Sequence, residues 1–85
     1  MKLTLKYFAS LRETLGAGGL IEWSPEAAPT AAGLRAWLRT QSDAHAQALA
    51  PGRAVRVAVD QALADESATL RDGAEVAFFP PVTGG

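Results

Sequence analysis

The last six residues, Pro80-Pro81-Val82-Thr83-Gly84-Gly85, are the part of this chain whose types and spacing could do chemistry, and a main-chain group would do it. Two prolines direct the chain away from any preceding strand in an extended conformation. Val82 and Thr83 add little bulk and no charge. Glycine has no Cβ, so Gly84-Gly85 could thread a channel too narrow for any other residue and leave a terminal carboxylate as the reactive group. Six residues from Pro80 reach at most ~20 Å, at ~3.3 Å each, enough to enter a partner's active site. Ordering them costs ~1–2 kcal/mol per residue, and the prolines lower that cost by restricting the free tail in advance. The same residues also fit a frayed chain end with no role.

The side chains offer much less. His45, the only histidine, sits near Asp43 in an alanine-rich stretch, where a solvated surface residue is the plainer reading. Asp60, Asp65, Glu66, Asp72 and Glu75 fall in turn-like segments, where carboxylates are usually solvated or capping. Asp65 and Glu66 would need a pocket to act as an acid/base pair. Arg53, Arg56 and Arg71 could form a modest basic strip, though a solvated face explains them as well.

Composition narrows the classes further. Eighty-five residues make one small domain, with residues 1–79 as its body and 80–85 as a flexible tail. Hydrophobic residues are 48% of the chain, and eighteen of these are alanine, which leaves 23 larger apolar side chains. That suffices for one sheet with one or two helices, but not for a deep substrate pocket as well. Eight Lys+Arg against nine Asp+Glu give a net charge of -1, which argues against nucleic acid or an anionic membrane as partner. There is no cysteine, which excludes disulfides, thiolate metal sites, persulfide chemistry and a cysteine nucleophile. One histidine excludes a multi-histidine metal site, so no metal is expected. No apolar run reaches the ~18 residues of a membrane span. Lys6, Arg12 and Glu13 interrupt any secretory signal, and the expected location is cytoplasmic.

The elements that must position the tail follow from periodicity. Lys2–Phe8 alternates, with Leu3, Leu5 and Tyr7 on one face, and predicts a strand. Ser10 and Glu13 match a capping box ahead of a short helix over Leu11–Leu15, with Gly16 closing it. Ala17–Gly19 reads as a turn and Leu20–Trp23 as a second strand. Thr30 is a good N-cap for the main amphipathic helix, Ala31–Gln41, which carries Leu34, Trp37 and Leu38 inward while Arg35 and Arg39 turn elsewhere. Ala44–Ala50 reads as a further helical stretch. Arg53–Asp60 and Glu75–Phe79 read as strands, the second entered through the Asp72-Gly73 turn and stopped by Pro80-Pro81. The order β, β, α, β, short element, β predicts an α+β sheet with the helix on one face.

Strand parity singles out one surface. If Leu3, Leu5, Tyr7, Val76 and Phe78 point to the core, then Phe8 and Phe79 point to the opposite face. Leu63, in a polar segment, has no core register either. Three large apolar groups outside the core would mark a protein interface, unless a helix or loop covers them.

The ending Leu70-Arg71-Asp72-Gly73-Ala74-Glu75-Val76-Ala77-Phe78-Phe79-Pro80-Pro81-Val82-Thr83-Gly84-Gly85 resembles that of the MoaD-type sulfur carriers, the small subunits of molybdopterin synthase. The likeness extends to Tyr7-Phe8-Ala9, Leu11-Arg12-Glu13, Thr30 and Leu34-Arg35, and so spans nearly the whole chain. It implies a ubiquitin-like β-grasp fold, a mixed sheet packed on one main helix plus short helices. It implies that an E1-like enzyme uses ATP to adenylate Gly85, and that a sulfur donor protein converts the acyl-adenylate to a C-terminal thiocarboxylate. No bound cofactor is implied. Gly84 would give the tail access to a pocket on the large synthase subunit, where sulfur passes to a cyclic pyranopterin precursor in a heterotetramer. Phe8, Leu63 and Phe79 lie at positions resembling the family's apolar contact surface, and Pro80, Pro81, Val82 and Thr83 would be gripped by the partner. Three other roles fit the same residues: a sulfur carrier for thiamine or tRNA thiolation, a ubiquitin-like modifier joined to lysines through Gly85, and a passive binding module.

Overall fold

The computed structural model describes residues 1–81. The expectations for Val82, Thr83, Gly84 and Gly85 therefore lie outside the described residues. Five strands and three helices alternate as β1 (Lys2–Tyr7), α1 (Ala9–Leu15), β2 (Gly18–Glu22), α2 (Ala31–Leu38), α3 (Asp43–Ala48), β3 (Arg56–Val59), β4 (Ala62–Ala64) and β5 (Glu75–Phe79). The strands form one sheet in the order β2-β1-β5-β3-β4. β1 runs parallel to β5 at its centre, and every other pairing is antiparallel. This is the α+β, β-grasp architecture expected of the sequence.

Period-two alternation decides what the sheet buries. Leu3, Leu5 and Tyr7 of β1, Val76 and Phe78 of β5 and Val57 of β3 enter the core beside Ala31, Leu34 and Leu38 of α2. Leu11, Leu49 and Leu70 close its margins. Phe78, Leu3, Leu34 and Leu49 are fully buried, each worth ~1.5–3 kcal/mol of apolar transfer. Thr30 caps α2 as expected, its Oγ1 accepting from the Gly33 N–H at 3.1 Å. The helix stops at Leu38, three residues short of expectation, because Thr40 and Gln41 bond back to the Trp37 and Leu38 carbonyls in tighter turns.

Three local expectations are corrected. Ser10 does not cap α1. β1 runs straight into the helix, the Phe8 N–H bonding to the Phe78 carbonyl at 3.2 Å and the Phe8 carbonyl accepting from Leu11 and Arg12. Phe8 is thus the N-cap and Ser10 lies inside the helix. The glycines after Gly16 are not a free turn, because Gly18 and Gly19 already pair with Lys6 and Leu5 in β2. A Cβ on Gly18 would sit 2.1 Å from the Leu5 carbonyl oxygen, and φ there is +96°, so the close strand approach needs glycine. The segment around Leu63 is a true strand, β4, reached from β3 by a two-residue turn with Asp60 and Gln61 both at positive φ.

Tyr7 packs beside Phe78 with ring centroids 6.4 Å apart, and the His45 ring stands edge-on to it with centroids 6.3 Å apart. Its hydroxyl is buried without a hydrogen-bond partner among the described residues. Burial pushes the phenol up from 10.0 to about 12. Above pH 10 the unfolded chain loses this proton while the native chain keeps it, so stability falls as pH rises towards 12. Tyr7→Phe is expected to raise stability by about 1 kcal/mol at neutral pH. It should also flatten that alkaline decline. Urea unfolding of both forms at pH 7 and in the alkaline range measures both effects. A variant less stable than the parent at neutral pH would contradict the expectation.

Candidate docking face and tail root

The helices cover one face of the sheet and leave the other open. The pairing rows place its residues. Lys6 stands beside Ala77, Ala77 beside Ala58, and Ala58 beside Leu63. One row further on, Phe79 stands beside Arg56. Phe8, just past the end of β1, joins this edge. Lys6, Phe8, Ala58, Ala77, Phe79 and Pro80 line a mostly apolar groove of about 530 Å³. Phe8 is 45% exposed and Leu63 66%, which is unusual for large apolar side chains on a small protein. The structure brings the predicted trio onto the same open face, with one qualification. Phe79 is only partly exposed, and it lines the groove together with Phe8 and Pro80. Leu20, 85% exposed on β2 opposite Thr4, belongs to this face too and was not singled out, although the strand parity that turns Ile21 and Trp23 inward turns it outward.

Charge frames the apolar centre. Lys6 Nζ lies 3.1 Å from Glu75 Oε1 on the face itself. Asp60 accepts from the Glu75 N–H at 3.0 Å and pairs with Arg71 at 3.4 Å beyond the β3–β4 turn. Exposed pairs such as these contribute little to stability, ~0–1 kcal/mol, but they fix where carboxylates and cations stand around the groove.

The remaining candidates separate into structural roles. Asp65 and Glu66 do not act as a pair. Asp65 accepts from the Ser67 hydroxyl and N–H, and these bonds hold its carboxyl below the usual range. Glu66 turns the other way and binds Arg35 at 2.6 Å. His45 Nδ1 meets Ser42 Oγ at 2.7 Å, the same oxygen that caps α3 by accepting from the His45 N–H. Asp72 Oδ1 accepts from the Lys2 N–H at 2.6 Å and so pins the β5 entry turn to β1. The proposed arginine strip does not form, because Arg71 pairs with Asp60 and Arg53 Nε donates to the Gln47 carbonyl. Among the described residues no cluster of three or more His, Cys, Asp or Glu side chains could hold a metal ion. No helix there is long and apolar enough to cross a membrane.

Arg35 is the largest departure from expectation. It does not turn to solvent, and only 7% of it is exposed. The helical period placed it off the apolar stripe, but its guanidinium reaches under α3. It binds the Leu49, Ala50 and Arg53 carbonyls just past the helix end.

β5 delivers Pro80 to the open groove, at the point where ladder pairing stops, and Pro81 follows it. A partner seated on Phe8, Phe79 and Leu63 therefore meets the start of the glycine-ended tail. Residues 5–85 match the model of the ThiS family. The chain is 44% identical over 82 residues to the molybdopterin synthase sulfur carrier subunit of Escherichia coli K12, covering 93% of this chain and 94% of that one. It is 39% identical over 83 residues to the subunit of the same name from Haemophilus influenzae, covering 98% and 99%. Its fold matches the complex of subunits 1 and 2 of the Helicobacter pylori molybdopterin-converting factor, with a TM-score of 0.66 and 23% identity over the whole of both chains. With its β-grasp sheet, open apolar face and Gly-Gly ending, this chain belongs to the ThiS family.

Proposed function

We propose that the chain is the sulfur-carrier small subunit of a molybdopterin synthase, acting in the cytoplasm. The observation that carries this reading is the apolar groove that reaches Pro80, the first residue of the six-residue segment that ends in Gly84-Gly85. The two relatives bearing the sulfur-carrier name support it.

A carboxylate resists nucleophilic attack. Adenylation of Gly85 by an E1-like enzyme with ATP supplies AMP as a leaving group, and sulfur from a donor protein displaces it. The resulting thiocarboxylate carries the sulfur on the main chain, which suits a chain without cysteine. Gly84 lets the tail enter the large subunit, where the sulfur passes to cyclic pyranopterin monophosphate. Val82 and Thr83 fill the entry, and Phe8, Leu63, Phe79, Pro80 and Pro81 dock. The pocket and the acid/base groups belong to the large subunit, and the small one is not an enzyme on its own.

The test is intact-mass measurement after incubation with activating enzyme, ATP and sulfur donor. The expected product is heavier by the difference between one sulfur and one oxygen, located at Gly85. An unchanged mass overturns the carrier reading. Gly85-linked lysine adducts would point instead to a protein modifier. Sulfur uptake without binding to a large synthase subunit would point to a carrier for thiamine or tRNA thiolation.

A further inference from the structure

Arg35 spends four of its five N–H donors on a single loop and its neighbour. Nε donates to the Leu49 carbonyl at 2.8 Å. Nη2 donates to the Ala50 carbonyl at 2.6 Å and the Arg53 carbonyl at 3.0 Å. Nη1 meets Glu66 Oε1 at 2.6 Å. Leu49 and Ala50 follow the last turn of α3, where helix carbonyls lack intrahelical partners, so a buried cation is well placed there. The 50–53 turn closes on itself through the Arg53 N–H to the Ala50 carbonyl at 2.9 Å. A charge this deeply buried is retained only when its donors are met by acceptors in good geometry, and here the planar fork is used at nearly full capacity.

The segment held in this way touches the tail root. Antiparallel pairing of β3 with β5 ends at Arg56 opposite Phe79. Continuing that register sets Val55 against Pro80 and Ala54 against Pro81. Ala54 and Val55 line a groove with Pro80 on one side, and a second groove with Pro81, Arg35 and Glu66 on the other. Proline cannot donate, so no ladder bond is available to the two prolines at their own N atoms. Ala54 and Val55 are the residues beside which both prolines lie.

We propose that Arg35 is a positioning residue for sulfur transfer. From inside the domain it fixes the bed on which Pro80 and Pro81 lie, and so sets the line along which the tail leaves. This rests on the carrier reading and adds a determinant inside the domain, behind the tail root and away from Phe8, Phe79 and Leu63.

The test compares Arg35→Lys and Glu66→Gln with the parent chain. Lysine keeps a charge for Glu66 but lacks the fork that grips the carbonyls. Arg35→Lys should weaken binding to the large synthase subunit by no more than about threefold, the part that Pro80 and Pro81 carry, because Phe8, Phe79 and Leu63 on the open face lie apart from it. Its single-turnover sulfur transfer from preformed thiocarboxylate should slow by about tenfold or more, as a misaimed reacting group does. Glu66→Gln keeps the grip on the carbonyls and should transfer at the parent rate. Parent-like transfer by Arg35→Lys, or a loss of affinity that accounts for its slower rate, overturns the proposal. So does an equal slowing in Glu66→Gln. Should Arg35→Lys not fold, nuclear Overhauser contacts in the parent decide. Contacts from the Pro80 and Pro81 rings to the Ala54 and Val55 methyls support the bed, and their absence from a well-dispersed spectrum refutes it. That spectrum needs no sulfur chemistry, so a parent chain that takes up no sulfur would fail the carrier reading alone.

Discussion

Deletion of Gly85 is expected to abolish sulfur transfer and leave the domain's unfolding midpoint unchanged. The core closes at Phe78 and the last ladder pair is Phe79, so no described contact of the fold depends on the final residue. On the proposed reading the chemistry depends on its position. The acyl carbon that is adenylated would move back by one residue, about 3.3 Å along an extended chain. A displacement of even ~1 Å at a reacting centre costs about a hundredfold in rate, so the shortened tail should fall below detection. Intact mass after activation and a precursor-conversion assay measure the loss, and thermal unfolding measures the fold. Sulfur transfer by the deleted chain would refute the assignment of the reacting carboxyl to Gly85.

Leu63→Asp is expected to weaken binding to the large subunit by ~30-fold or more, the loss typical of a hot-spot side chain. Leu63 lies on the edge strand β4, 66% exposed, and contributes little to the core. The substitution should therefore change stability by no more than about 0.5 kcal/mol. Phe79 is a poorer site for this experiment, because it is partly buried and its loss would disturb β5. Calorimetric titration of the folded variant reads the effect. Affinity equal to that of the parent would remove Leu63 from the docking face.

Much of the fold could be read from alternation alone. β1 and β5 stand out because Leu3, Leu5, Tyr7, Val76 and Phe78 keep a strict period of two, and the same parity placed Phe8 and Phe79 on the other side. Thr30 was legible because its hydroxyl serves the nearest backbone donors, a purely local matter. The features that escaped are set by partners distant in sequence. Ser10 and Glu13 have the spacing of a capping box, yet β1 and β5 pair up to Phe8 and leave Ser10 no room to be a cap. Asp60-Gln61 lacks the glycine that usually marks a tight hairpin turn, and the pairing of Val59 with Ala62 imposes the turn instead. Arg35 has the local pattern of a solvent-facing helical residue. Its acceptors lie 14 to 31 residues further along the chain, beyond the reach of any window on α2.

The place of β5 between β1 and β3 has a consequence for biosynthesis. Without β5 the sheet falls into two hairpins, β2-β1 and β3-β4, with no pairing to join them. Its parallel contact with β1 links the two most distant strands of the sequence, a non-local pairing that forms late and slowly. A nascent chain therefore cannot settle until synthesis has passed residue 79, and a prematurely terminated product stays open to proteolysis. Quality control is thereby tied to translation: only chains made at least as far as the tail root become folded carriers.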